Sequence, residues 1–143
     1  LHMSNWEEDE AGYCTAAADH QAALAVAREL GIPLHRVSFA REYRERVFRH
    51  FLDEYAAGRT PNPDVLCNRE VKFGVCLDYA RRLGGECFAT GHYARVAHGP
   101  DRPRLLRARD ALKDQTYFLQ QVPAAALRHA LFPLGDLEKA EVR

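Results

Sequence analysis

Between Ala16 and Leu30 the apolar residues Ala23, Val26, Ala27 and Leu30 recur at helical spacing. Gly31 follows as a left-handed stop, so the pattern predicts a helix. Leu34 to Phe39 sets Leu, Val and Phe against interposed His, Arg and Ser, a strand signature. From Glu42 to Ala57, Tyr43, Val47, Phe48, Phe51, Leu52 and Tyr55 share one stripe with arginines and acids opposite, and Gly58 closes this second helix. Asn68 to Leu83 places Val71, Val75, Tyr79 and Leu83 four apart before Gly84-Gly85, which predicts a third. Leu1-His2-Met3 reads as the tail of a strand entering a loop with an acidic cluster, Glu7 to Glu10. Cys87 to Thr90 is a short apolar strand that runs into Gly91-His92-Tyr93, where an open α/β sheet would present a ligand-binding loop.

The last third changes character. Ala94 to Ala97 and Arg104 to Ala108 predict a hairpin joined by the turn-forming run from His98 to Pro103. Asp114 offers an N-cap for a helix through Tyr117, Phe118 and Leu119, and Pro123 to Leu131 predicts another. Phe132 to Gly135 breaks it, and Leu137 to Arg143 opens a further element. Helix and strand alternate, so the expected class is α/β with a parallel sheet over 1–93 and a hairpin and helical extension over 94–143.

With 143 residues, 47% of them hydrophobic, the chain suffices for one ordinary core. No apolar run reaches the length of a membrane span, so a soluble chain with no membrane partner is expected. Cys14, Cys67, Cys76 and Cys87 form no Cys-x-x-Cys pair, which argues against a zinc ribbon and for thiols in a reducing, cytoplasmic compartment. No metal-ligand cluster is evident. A formal net charge of +0 requires any nucleic-acid partner to be met by a local patch. Arginine concentrates in two places, Arg41 to Arg49 and Arg102 to Lys113, although Glu42 and Glu45 interleave the first as on an ordinary solvated face.

The chemistry concentrates between Gly58 and Phe73. Pro61 and Pro63 fix their own φ and push Thr60 and Asn62 toward extended conformations, so the loop is stiff. Asp64 and Cys67 follow at a spacing that puts both on one helix face. A carboxylate beside a thiol is an arrangement suited to covalent catalysis. The plainer alternative makes Asp64 a helix cap and Cys67 a small buried apolar residue.

The run Thr60-Pro61-Asn62-Pro63-Asp64-Val65-Leu66-Cys67-Asn68, with Val71-Lys72-Phe73 after it, resembles the signature of tRNA-specific 2-thiouridylases of the MnmA type. Met3 to Trp6, Gly12-Tyr13-Cys14-Thr15, Ala89 to Ala94, Lys113 to Leu119 and Phe132 to Gly135 stand in that family's order. The resemblance implies an ATP-pyrophosphatase domain of the PP-loop, adenine nucleotide alpha-hydrolase-like and Rossmann-like kind. It further implies an enzyme that adenylates O2 of the tRNA wobble uridine with ATP and replaces that oxygen with sulfur from a cysteine persulfide. Cys67 is then the nucleophile, forming a disulfide with a second, persulfide-bearing cysteine, and Asp64 the acid or base. Asn62, Pro63 and Asp64 would contact the target base, Met3 and Gly91 ATP, and Lys113, Asp114 and Gln115 the tRNA, beside Arg102, Arg104, Arg107 and Arg109.

A competent Cys67 thiolate needs either a pKa depressed toward neutrality or a neighbouring base. Gly91 suits close approach of a nucleotide to the backbone, Met3 suits plain core packing as well, and His92 suits a structural hydrogen bond. Cys14, Cys76 and Cys87 are expected to be buried or incidental. The family's phosphate loop, Ser-Gly-Gly-x-Asp-Ser, and its second cysteine are not in this sequence. The expectation is therefore a fragment lacking its first strand and helix, inactive alone. Mg2+ and a persulfide donor, a sulfur-relay protein or cysteine desulfurase, complete the implied partners. Another ATP pyrophosphatase or synthetase of the same fold, and a non-catalytic RNA-binding module, are the alternatives.

Overall fold

The computed structural model describes residues 1–6 and 16–142. The acidic cluster at 7–10, Gly12, Tyr13, Cys14, Thr15 and Arg143 lie outside the described residues. β1, His2–Ser4, pairs in parallel with β2, Arg36–Ser38, in the register Met3 to Val37. Parallel pairing demands a crossover, and α1, Ala16–Glu29, supplies it. Gly31, at φ 65°, ends that connection's helix as predicted. Of the stripe foreseen for α1, Ala27 is buried, but Val26 and Leu30 are 56% and 65% exposed.

α2 covers residues 40–56 as Ala40–Tyr43, a π-helical Arg44–Phe48 and Arg49–Ala56. α3 covers residues 63–82 as Pro63–Leu66, a π-helical Cys67–Cys76 and Leu77–Arg82. It begins at Pro63, not at Asn68 as the stripe of valines suggests, and the cause is local. Asn62 is extended (φ −108°, ψ 99°), its Oδ1 accepts the Asp64 N–H at 3.1 Å, and Pro63 occupies the first turn, where no N–H is needed. The capping role weighed for Asp64 thus belongs to Asn62. Gly74 leaves helical geometry (φ −102°, ψ −108°) and kinks the helix.

β3, Phe88–Ala89, pairs in parallel with β6, Ala130–Leu131. The helix predicted from Pro123 to Leu131 is therefore only α4, Ala124–Leu127. Beyond it the backbone turns to β3: the Phe88 N–H donates to His129 O at 2.7 Å and the Thr90 N–H to Leu131 O at 3.0 Å. Long-range pairing here outweighs local propensity. β4, Ala94–Ala97, and β5, Arg104–Arg107, form the expected antiparallel hairpin. The helix expected after Asp114 is a single 3-10 turn, Thr116–Leu119, and α5, Lys139–Val142, closes the described chain.

The architecture is α/β, with its parallel strands in two separate pairs. α3 lies between two hydrophobic clusters and feeds both. Cys67, Val71 and Cys76 join Phe39 and Val47 in one; Phe73 and Leu77 join Ala94, Leu119, Leu127 and Phe132 in the other. Full burial of a side chain such as Val71 contributes about 1.5–3 kcal/mol each, which fixes α3 against both sheet pieces. Among the described residues no helix is long and apolar enough to cross a membrane.

Candidate active site

The Cys67 N–H donates to the carbonyls of Asp64 and Pro63, so the carboxylate stands one turn before the thiol on α3. Asp64 is exposed and Cys67 is buried at 7% exposure. The sulfur has one polar partner among the described residues: Asn5 Nδ2, 3.9 Å away, donates to Sγ. Burial pushes the thiol up from its ordinary 9.0, the Lys72 ammonium draws it down, and the Asp64 carboxylate pushes it up by like-charge repulsion. A thiol depressed toward neutrality is thus not what this environment produces, and a proton acceptor is the remaining route to a thiolate. Tyr43 of α2 joins the group: burial raises its hydroxyl, with the charges of Cys67 and Asp64 adding to the effect.

A cleft of about 360 Å³ opens between β1 and β3, lined by Leu1, Met3, Lys72, Cys76, Phe88 and Thr90 among others. Met3 both lines this cleft and packs on the first core cluster. Lys72 brings a cation to a lining that holds no carboxylate. Gly91 comes directly after Thr90, and a Cβ there would meet only Leu134 Cδ1 at 3.9 Å, so protein packing does not require glycine. His92 is 9% exposed, shares a hydrogen bond of 2.8 Å with Thr90 Oγ1 through Nδ1, and lies 6.1 Å from the rings of Phe73 and Phe132. Burial, then Lys72, lowers it to about 4, which keeps the imidazole neutral. That is the structural histidine the residue type suggests.

Of the three residues expected at the tRNA, only Lys113 is exposed. Asp114 accepts from the Thr116 N–H and hydroxyl, the Ala108 N–H and Arg107, a set of hydrogen bonds that outweighs its desolvation and lowers its carboxyl. Gln115 is engaged with Tyr93: its Oε1 accepts the Tyr93 N–H at 2.9 Å, and its own N–H donates to Tyr93 O at 2.8 Å. Arg109 lies within 4 Å of Glu138 and Glu141. Arg102 and Arg104 are exposed, with no ion pair among the described residues. The fully buried Asn68 ties this segment to α3, donating from Nδ2 to Phe118 O at 2.9 Å.

Asn5, Tyr43, Lys72 and Thr90 were not singled out as site residues by sequence reasoning. Lys72 had a signal, a lone lysine between Val71 and Phe73 on a helix that also bears Cys67. Asn5 had none, because 62 positions separate it from the sulfur it meets. Cys67, Cys76 and Cys87 are free thiols; burial pushes Cys76 up to about 11.

Residues 1–143 match the sequence profile of the family described as tRNA methyl transferase HUP domain. All of the chain aligns with the tRNA-specific 2-thiouridylase MnmA of Exiguobacterium sibiricum at 51% identity, covering 38% of that protein. The protein of the same name from Hahella chejuensis is 54% identical over all of the chain and 40% of its own length. That from Xanthomonas euvesicatoria pv. vesicatoria is 59% identical, again over all of the chain and 38% of its own length. The chain thus spans about two fifths of the length of these relatives. A match to the family from end to end, with half or more of its residues shared with proteins of a single name, makes this chain a member of the tRNA methyl transferase HUP domain family, similar to the 2-thiouridylases of the MnmA type.

Proposed function

We propose that this chain is the catalytic part of an enzyme that thiolates position 2 of the tRNA wobble uridine at the expense of ATP. The observation that carries the reading is the placement of Cys67: a buried thiol one turn after Asp64, on a helix started by a stiff Asn-Pro, within the field of Lys72. Cys67 is the nucleophile in this reading, and Asp64 takes its proton. The thiolate attacks the inner sulfur of a cysteine persulfide held outside these residues; that persulfide bond breaks, a disulfide forms and hydrosulfide leaves. The sulfur bonds to C2 of the uracil as the C2–O bond to the leaving AMP breaks. ATP supplies that leaving group by adenylating O2: the O2–Pα bond forms as the bond from Pα to pyrophosphate breaks, and pyrophosphate leaves.

The residues present suit a nucleotide. Gly91 has room beside it, Met3 and Thr90 line the same cleft, and Lys72 is a cation where phosphates would need one. Mg2+ would travel on those phosphates. β1 and β3 have no second partner across the cleft among the described residues. A further parallel strand there, leading into a phosphate-gripping loop, would join the two pairs into one sheet. Asn62, Pro63 and Asp64 present the target base, and Lys113 with Arg102 and Arg104 meets tRNA phosphates. The persulfide comes from a sulfur-relay protein or a cysteine desulfurase, and the reaction belongs in the cytoplasm.

The test is Cys67→Ser in the complete gene product, assayed on a gel that retards thiolated RNA. Loss of thiolation with retained tRNA binding is expected. Normal thiolation would remove Cys67 from the mechanism, and an inactive wild type that still binds tRNA would favour a non-catalytic RNA-binding module.

A further inference from the structure

Asn5 lies in the loop just after β1, far from Cys67 in sequence and against it in space. Trp6 anchors that loop, its ring 5.2 Å from both Tyr43 and Phe48 on α2 in edge-on contacts. The Asn5 Nδ2 donates to Cys67 Sγ at 3.9 Å, while its Oδ1 is buried with no hydrogen-bond partner among the described residues. An orphaned acceptor costs about 1–3 kcal/mol, and Asn68 carries one as well, with its Nδ2 on a backbone carbonyl. What sets Asn5 apart is the partner: among the described residues, its one polar side-chain contact is to a thiol sulfur. A thiolate accepts an N–H more strongly than a thiol does, so the contact favours the ionised sulfur and holds its rotamer.

We propose that Asn5 is a positioning residue for Cys67, orienting the sulfur beside Asp64 and Lys72 and stabilising its thiolate through the amide N–H. The inference rests on the reading of Cys67 as nucleophile for its use in catalysis, and on the coordinates alone for the contact. It requires no oxidant or co-reactant, only the proton lost from sulfur to Asp64 or water.

The experiment follows iodoacetamide alkylation of Cys67 at the peptide level by mass spectrometry, across pH, in the complete gene product. Wild type, Asn5→Ala and the near-isosteric Asn5→Asp are compared, with buried Cys76 as internal control. The Cys67 midpoint is expected to rise in Asn5→Ala and further in Asn5→Asp, where an anion replaces the donor. A rise of one pH unit slows alkylation near neutrality by about tenfold. Coincident Cys67 profiles overturn the proposal. So does a change confined to the high-pH plateau, which reports access alone, or an equal shift at Cys76, which reports general loosening. Should the midpoints move while Cys67→Ser still thiolates tRNA, the contact stands and the catalytic assignment of Cys67 falls.

Discussion

His92 shows how one buried ring writes a pH dependence into the fold. Its neutral form is favoured because an imidazolium would be desolvated and would face Lys72, which lowers it from 6.5 to about 4. A base with a depressed native pKa binds fewer protons folded than unfolded. Its contribution is therefore whole above pH 6.5 and is lost as pH falls toward 4. Urea midpoints of wild type and His92→Gln, compared across that window, are expected to converge as the pH drops, since only the wild type carries this penalty. Parallel curves would show that His92 has no linked proton. The carboxylates titrate in both proteins and cancel in the difference.

At the level of elements, α3 is the piece whose start matters most. Asn62 caps it and Pro63 occupies its first turn, so Asn62→Ala removes an acceptor from the Asp64 N–H. A loss of about 1 kcal/mol in urea denaturation is expected, with Asn62→Asp retaining most of it. The double proline made this loop legible in the sequence, because φ at Pro61 and Pro63 is fixed whatever the rest of the chain does. The stripes of α2 and α3 and the hairpin were legible for the same reason, namely that their pattern is local. β6 was not, since Ala130 and Leu131 become a strand only through β3, more than forty residues away. Asp64 and Cys67 were legible as neighbours on one helix. Lys72 was legible in part, as a lone lysine on the same helix, whereas the amide of Asn5 was not, because tertiary packing alone brings it to the sulfur.

For the molecule as a whole, zero net charge means that the proposed tRNA contact has to rest on local, uncommitted cations. Arg107 and Arg109 are held by neighbouring acids, while Lys113, Arg102 and Arg104 are exposed. Neutralising any one of these three is expected to weaken tRNA binding in the complete protein and to reduce the slope of log affinity against log salt by about 1. Replacing Arg107 should instead disturb the Asp114 network, with a smaller change in that slope. The segment that follows the exposed lysine is tied to the helix that bears the buried thiol. Asn68 is the next residue after Cys67, and its amide grips Phe118 O in the turn that follows Lys113 to Gln115. Displacing that turn would load the backbone holding the sulfur by three routes: this amide, the Arg69 guanidinium on Gln121, and the cluster that Phe73 shares with Leu119.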